Sequence, residues 1–175
     1  MVNDSDEGYN IGFGLRLSPG VEIESMSDDG LGVDVKAVLR KGRYVCTDLR
    51  IYRSGDSGQE INTQALRDIA VGSYVEWAAE SGNATVEEAL VERAAKEMDR
   101  PGGVTDSLLE VVAATYRYGY AVSRSPIAVV IRVFDIGRSR AARWVSEARQ
   151  AGLLGVTDMR QAGGVELSHI WDLSD

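Results

Sequence analysis

Apolar and polar residues alternate along the first third of the chain, and this period of two predicts β-strands. Turn-forming residues interrupt the alternation at Ser18-Pro19-Gly20, Asp28-Asp29-Gly30 and Lys41-Gly42. The predicted strands therefore cover residues 11–17, 21–26, 31–39 and 44–52. Four short strands joined by tight turns indicate an antiparallel β-meander with one face in water.

Beyond residue 60 the apolar positions recur every three or four residues, which predicts helices. Asn62 or Thr63 can cap a first helix, which is interrupted near Gly72 and then resumes. Thr85 and Glu88 have the spacing of a capping box, which predicts the start of a second helix there.

Arg100-Pro101-Gly102-Gly103 is the clearest linker in the chain. It divides the sequence into two predicted domains. Residues 1–100 contain the β-meander and two helices, to which we assign an oligomerisation or regulatory role. Residues 104–175 begin with a helix capped by Thr105 or Asp106 and end with an alternating segment at 165–173, which predicts a terminal strand.

The centre of the second domain has the layout of a helix-turn-helix. Ser125 can cap a helix whose first residue is Pro126, a position where the missing N–H costs nothing. That helix ends early because Asp135 tolerates a left-handed turn conformation, and Ile136 can fix the turn between two helices. The predicted fold class is therefore α+β, with an N-terminal antiparallel β-meander followed by helices and a C-terminal helix-turn-helix unit.

The next helix begins at Gly137 or Ser139 and has one buried stripe, whose members are spaced by three to five residues: Ala141, Val145, Ala148 and Leu153. Arginines avoid the stripe and cluster in the first turn and a half, the part of a recognition helix that meets base edges in the major groove. Solubilising arginines on an ordinary helix are the alternative interpretation.

Arginine can bind guanine with two hydrogen bonds and can also hold phosphates, so this residue type suits both tasks. We predict three base-reading residues, which are Arg138, Ser139 and Arg143. Three further residues are predicted to bind phosphates, and these are Arg140, Arg132 and Arg124.

The helix predicted over residues 126–134 is apolar at nearly every position, whereas a surface helix needs only one apolar stripe. Both of its faces should therefore be covered, either by the N-terminal sheet or by a second protomer. A second protomer suits regulators that bind paired half-sites as dimers, so we expect a homodimer or a higher homo-oligomer.

Residues 136–154, with Arg140-Ala141-Ala142-Arg143-Trp144-Val145 at their centre, resemble the helix-turn-helix of a large group of uncharacterised actinobacterial and actinophage proteins. In that group the corresponding segment typically has the sequence phenylalanine, glycine, valine, serine, arginine, serine, threonine, two alanines, arginine, tryptophan and valine. Residues 60–79 are similar to the part that precedes the DNA-binding region in the group. The resemblance implies DNA binding of unassigned purpose. Asp135 replaces the usual turn glycine of the group, and Gly137 replaces its capping serine.

The charge distribution refines this expectation, because a net charge of −8 argues against nucleic acid at first sight. Residues 1–34 hold eight acidic residues and one basic residue. In contrast, residues 115–149 hold seven arginines against Asp135 and Glu147, a net charge of +5. Phosphate contact requires local rather than total positive charge. This basic segment within an acidic chain is compatible with DNA binding.

The composition excludes several other functions. Cys46 is the only cysteine and His169 the only histidine, so neither a disulfide nor a structural zinc site can form within the chain. Gly55-Asp56-Ser57-Gly58 is similar to the serine segment of chymotrypsin-like proteases, but the single histidine follows it, and a turn is the ordinary interpretation. We therefore expect no enzyme activity, no cofactor and no metal. Without a membrane-length apolar run or a signal peptide, the expected location is the cytoplasm.

The sequence therefore favours a sequence-specific protein that binds double-stranded DNA, a bacterial or phage transcriptional regulator. Two alternatives remain open. The first is a phage DNA-packaging component similar to a small terminase subunit, which also combines a helix-turn-helix with an oligomerisation domain. The second is a protein-interaction module in which the helix-turn-helix is a scaffold and the acidic N-terminal sheet meets a basic partner.

Overall fold

The computed structural model describes residues 8–26, 31–53, 60–123 and 125–155 of the 175-residue chain. The described part is α+β, as predicted, with two antiparallel sheets followed by six helices. The strands are β1 (Tyr9–Gly12), β2 (Leu15–Leu17), β3 (Gly20–Met26), β4 (Leu31–Arg40) and β5 (Arg43–Arg53). The helices are α1 (Thr63–Asp68), α2 (Val71–Gly82), α3 (Ala84–Met98), α4 (Asp106–Val122), α5 (Pro126–Phe134) and α6 (Arg138–Gln150).

Four sequence-based predictions lie outside the described residues. They are the turn at 28–30, the loop at 54–59, the terminal strand at 165–173 and the phosphate-binding role of Arg124. None of the described helices has the length and apolar character that a membrane crossing requires.

The main sheet is an antiparallel meander in the order β3-β4-β5. Lys41 and Gly42 both have positive φ angles, 49° and 74°, as the predicted two-residue turn between β4 and β5 requires. Along β4 the residues that point to the core alternate with those that point away. The buried set is Val33, Val35, Ala37 and Leu39. Lys36 and Arg40 on the other face are exposed, which confirms the predicted wet face.

The single strand predicted over residues 11–17 is wrong, because this segment folds back on itself as the β1–β2 hairpin. Phe13 and Gly14 form its two-residue turn with φ angles of 56° and 72°. The alternation on either side of the turn is the same as that of one continuous strand. Period-two patterning could not distinguish the two arrangements.

Asn62 caps α1 as predicted, since its Oδ1 accepts hydrogen bonds from the N–H groups of Gln64 and Ala65, each at 3.0 Å. The break that follows lies at residues 69 and 70, whereas Gly72 lies inside α2. The predicted capping box at Thr85 is wrong. Helix α3 begins at Ala84, one residue earlier.

Asn83 precedes α3 and connects the helices to the sheet instead of capping. Its side chain is 1% exposed and makes no capping hydrogen bond. The amide donates to the Tyr44 hydroxyl at 2.9 Å and to the carbonyl of Ala79 at 2.8 Å, and its oxygen accepts from the N–H of Ser18 at 2.9 Å. The Tyr44 hydroxyl donates in turn to the Ser18 carbonyl at 2.6 Å. Every polar atom of this amide group therefore has a partner, as burial requires.

Helix α4 is the centre of the hydrophobic core. It contacts β1, β5, α2, α3, α5 and α6, and most of its residues are buried. One continuous core cluster contains residues from both sides of the linker at 100–103. The division into domains 1–100 and 104–175 stays a prediction, and any two such units share this core.

Helix α5 is buried on one face by the rest of the chain. Helices α3, α4 and α6 pack against it, so the alternative that the N-terminal sheet covers it is wrong. The alternative that a second protomer covers it stays a prediction. Val129, Val130, Val133 and Phe134 are buried among these helices. On the other face Ala128 is exposed and Ile127 and Ile131 are half-buried, so the rest of the described chain leaves this apolar face partly open.

Candidate nucleic-acid interface

The turn between α5 and α6 has the conformation that the sequence predicts. Asp135 lies in the left-handed region with φ 48° and ψ 50°. The N–H of Ile136 donates to the carbonyl of Ile131 at 3.2 Å, which closes the end of α5. Ile136 is 7% exposed and packs into the core, so it fixes the turn as expected.

Neither helix of the pair has a side-chain cap at its start. Pro126 is the first residue of α5 as predicted, but Ser125 makes no capping hydrogen bond, so that predicted cap is wrong. Gly137 takes the cap position of α6 and has no side chain to offer. A Cβ atom placed on Gly137 would meet no atom within 4 Å, so the leading end of α6 borders open space.

The buried stripe of α6 consists of Ala141, Trp144, Val145 and Ala148. Three of these residues were predicted, whereas Trp144 was missed and Leu153 lies beyond the helix. The Trp144 ring packs edge-to-face on Phe134, with centroids 5.6 Å apart and an interplanar angle of 75°. This contact fixes the orientation of α6 on α5.

The predicted base-reading residues are on the opposite side of α6. Arg138, Ser139, Arg140 and Arg143 are all exposed. At about 100° per residue, Ser139 and Arg143 point directly away from the buried stripe, whereas Arg138 and Arg140 flank them on either side. Ser146 shares this outward direction, Ala142 lies between Ser146 and Arg138, and both are exposed. Sequence reasoning missed these last two, although the same helical period could have identified them.

The exposed arginines of α6 are weakly tied to the protein. Arg143 lies 3.6 Å from Glu147, one turn further along the helix, and its side chain is 62% exposed. Exposed pairs of this kind contribute about 0.3–0.5 kcal/mol, so a phosphate or a base can replace the carboxylate. Arg138 and Arg140 form no ion pair within the described part of the chain.

Arg132 was predicted to bind phosphate and lies elsewhere. Its guanidinium is 2.9 Å from Glu87 of α3 and 3.2 Å from Glu80 of α2. Burial lowers the pKa of Arg132, but these carboxylates outweigh that effect and raise it overall. The Tyr118 hydroxyl also donates to Glu87, at 2.9 Å. Arg132 therefore connects α5 to α2 and α3 and is not part of the α6 cluster.

Two further arginines of the basic segment have structural contacts. Arg117 donates to the carbonyls of Ile11 and Leu153, and burial lowers its pKa. Arg149 donates to the Tyr116 hydroxyl at 2.9 Å. Among the described residues of the basic segment, the positive charge available to a ligand is therefore concentrated at the start of α6, where Arg138, Arg140 and Arg143 lie.

The residues that the structure describes contain no group of acidic, histidine and cysteine side chains able to hold a metal ion. Comparisons with protein-family models, with curated proteins and with solved structures find no match to this chain. The resemblance to actinobacterial and actinophage helix-turn-helix proteins therefore stays a prediction.

Proposed function

We propose that this protein binds double-stranded DNA in a sequence-specific manner and regulates transcription in a bacterium or a phage, acting in the cytoplasm as a homo-oligomer. The observation that carries the proposal is the exposed outer face of α6, where three arginines and Ser139 surround small side chains. Helix α6 lies beyond a tight, left-handed turn, as the second helix of a helix-turn-helix does.

The dimensions and side chains of α6 suit the major groove. The groove is about 12 Å wide, and an α-helix with side chains has a diameter of about 10–12 Å. Small residues on the outward face, Ala142 and Ser146, permit close approach to the bases. Arg143 and Ser139 point towards base edges in this arrangement, and Arg138 reads a base at the leading end. Arg140 lies to the side, where phosphates line the groove.

Arg132 no longer belongs to this proposal, since it is engaged by two carboxylates. The proposal also accommodates the net charge of −8, because the charge that meets DNA is local.

Selection of DNA from a random pool with the purified protein, followed by binding measurements over a salt series, tests the proposal. Arg143→Ala is expected to weaken binding to the selected site by about 1–3 kcal/mol and to relax preference at one base pair. Arg140→Ala should weaken binding to all sequences and lower the salt slope by about 1.

Arg67→Ala is the matched control, because Arg67 is an exposed helical arginine on α1. The affinity of the Arg67→Ala variant for the selected DNA site should equal that of the parent protein. An Arg143→Ala variant that binds as tightly as the parent, or a parent protein that binds no DNA at low salt, contradicts the proposal. Light scattering adds a second criterion, because a ring of about eight or more protomers would indicate DNA packaging instead of regulation by a dimer.

A further inference from the structure

A cavity of about 280 Å³ lies between the start of β5, the first half of α2 and the end of α4. Its apolar walls include Val71 and Val75 of α2 and Val122 of α4. The aromatic rings of Tyr44 and Tyr120 complete these walls. Ligand sites in proteins combine mainly apolar walls with a few polar groups, and they occur where several elements meet.

Two charged side chains of opposite sign line the cavity, Arg43 on β5 and Glu76 on α2. The Arg43 guanidinium is stacked over the Tyr120 ring at 4.2 Å, so its position is fixed before any ligand arrives. A guanidinium has five donors and a carboxylate about four acceptor positions, so each can bind a ligand in addition to its contacts within the protein.

The volume and the lining together define the class of ligand. The cavity is slightly smaller than the roughly 300–1,000 Å³ of sites for drug-sized molecules, so only a small molecule fits. An anion alone would be repelled by Glu76, and a cation alone by Arg43. A zwitterion complements both groups beside the contacts that each already makes within the protein, and an apolar side chain fits the space between the tyrosines and valines. We propose that this cavity binds an α-amino acid with an apolar, aromatic side chain, and that its occupancy alters DNA binding.

The effect of occupancy on DNA binding rests on the proposed function, and we infer it from the position of Ser123. This residue lines the cavity and ends α4. Its hydroxyl accepts a hydrogen bond from the N–H of Ser125 at 3.2 Å, at the start of α5. A ligand that contacts Ser123 therefore acts on the junction that positions α5, and through α5 on α6.

Cys46 gives a direct measurement of occupancy. It lines the cavity, is half-buried, and is the only cysteine in the chain. Alkylation of the protein by iodoacetamide therefore reports on this site alone. L-phenylalanine at about ten times its Kd is expected to slow alkylation about tenfold, because only the unoccupied protein reacts.

Two analogues test the zwitterion requirement, since 3-phenylpropionate lacks the ammonium group and phenethylamine lacks the carboxylate. Loss of one charged hydrogen bond weakens binding about tenfold or more, so each analogue at the same concentration should slow alkylation about twofold or less. Arg43→Gln and Glu76→Gln should also remove most of the protection by L-phenylalanine. Arg50→Gln is the matched control, because Arg50 lies on the same strand and stacks on Tyr52 at 5.1 Å.

The outcomes separate the two halves of the inference from the proposed function. No protection by L-phenylalanine, or equal protection by all three compounds, overturns the site. Protection together with an unchanged Kd for the selected DNA overturns the regulatory half, for which we expect a change of about fivefold or more. A ligand-free protein that binds no DNA contradicts the proposed function and leaves the alkylation result in place.

Discussion

Asp135 is a non-glycine residue in the left-handed conformation. Glycine should therefore give a more stable protein than alanine at this position, the reverse of their usual order in a helix. Left-handed geometry costs a residue with a Cβ roughly 1–2 kcal/mol, whereas glycine adopts it freely. We expect Asp135→Gly to be more stable than Asp135→Ala by about 1 kcal/mol, measured by urea unfolding. Ala142→Gly, in the exposed middle of α6, should instead lose about 1 kcal/mol. Equal stability of the two Asp135 variants would exclude a left-handed turn here.

Tyr118 makes the stability sensitive to alkaline pH. Burial, followed by the charge of Glu87 and the hydrogen bond to it, strongly raises the pKa of Tyr118. The folded protein therefore favours the neutral phenol, and this contribution is complete below the unfolded pKa of about 10 and is lost as the pH rises above it. Chemical unfolding at several values between pH 7 and pH 11 should show this loss. Tyr118→Phe should show a smaller loss over the same range, and an identical slope would contradict the assignment.

At the residue scale the sequence predicted which α6 side chains are exposed, but it did not predict which groups the other arginines contact. Exposure follows from the helical period, which is a local property. Arg132 and its partner Glu80 are 52 residues apart, and no local pattern predicts that they meet. The helical period could have identified Trp144, which lies at i+3 from Ala141, whereas its edge-to-face contact with Phe134 of another helix could not be predicted locally.

At the element scale, Gly119 determines how closely α4 and α5 approach. A Cβ atom at Gly119 would lie 2.9 Å from the Val129 Cβ and 3.0 Å from the Pro126 carbonyl oxygen. Gly119→Ala should therefore destabilise the protein by about 1–3 kcal/mol, although alanine is the better helix former. The melting temperature and unfolding enthalpy of Gly119→Ala, measured by calorimetry, test this prediction.

Gly137→Ala is the control for this substitution, because no atom lies within 4 Å of a Cβ at Gly137. Gly137→Ala should lose no packing, and its cost should stay below about 1 kcal/mol, which reflects only the poorer capping by alanine. If Gly119→Ala raised the melting temperature, helix propensity would outweigh packing, and α4 and α5 would not be in the close contact described above.

Element type was more predictable than element partners. The change of period from two to 3.6 separated the sheet from the helices, and the α5–α6 turn was correct because Asp135 and Ile136 carry its chemistry locally. Within the chain only one face of α5 is buried, since Ala128 is exposed and Ile127 and Ile131 are half-buried. The elements that cover the buried face were not predicted either, since helices α3 and α4 reach it through tertiary packing.

At the scale of the whole molecule, the start of α6 is a small basic area on an acidic protein. Exposed arginines also lie on other elements, such as Arg40, Arg50 and Arg67, but three lie together within two turns at the start of α6. Helix α3 presents exposed glutamates such as Glu88 and Glu92. DNA bound along α6 would be held by a small positive area on a protein with a net charge of −8. Binding on such a surface should be weak for non-specific sites, and because few phosphates are neutralised its dependence on salt should be shallow.

The continuous core predicts how the molecule unfolds. Helix α4 lies on the C-terminal side of the linker at 100–103 but packs against β1, β5, α2 and α3 on the other side. Separation of the two sides would expose α4 residues such as Val112 and Tyr118, each 0% exposed. Burial of one large side chain is worth about 1.5–3 kcal/mol, so neither side should unfold alone.

We therefore expect native-state hydrogen exchange to give the same opening free energy for the most protected amides of β4, α4 and α6, equal to the free energy of unfolding in urea. Arg132→Leu, which removes the ion pairs to Glu80 and Glu87, is expected to lower all three values together. Opening of α6 at a free energy several kcal/mol below that of β4 would instead indicate two independent domains divided at residues 100–104. In that case a ligand in the cavity beside β5 would have no rigid connection through which to influence α6.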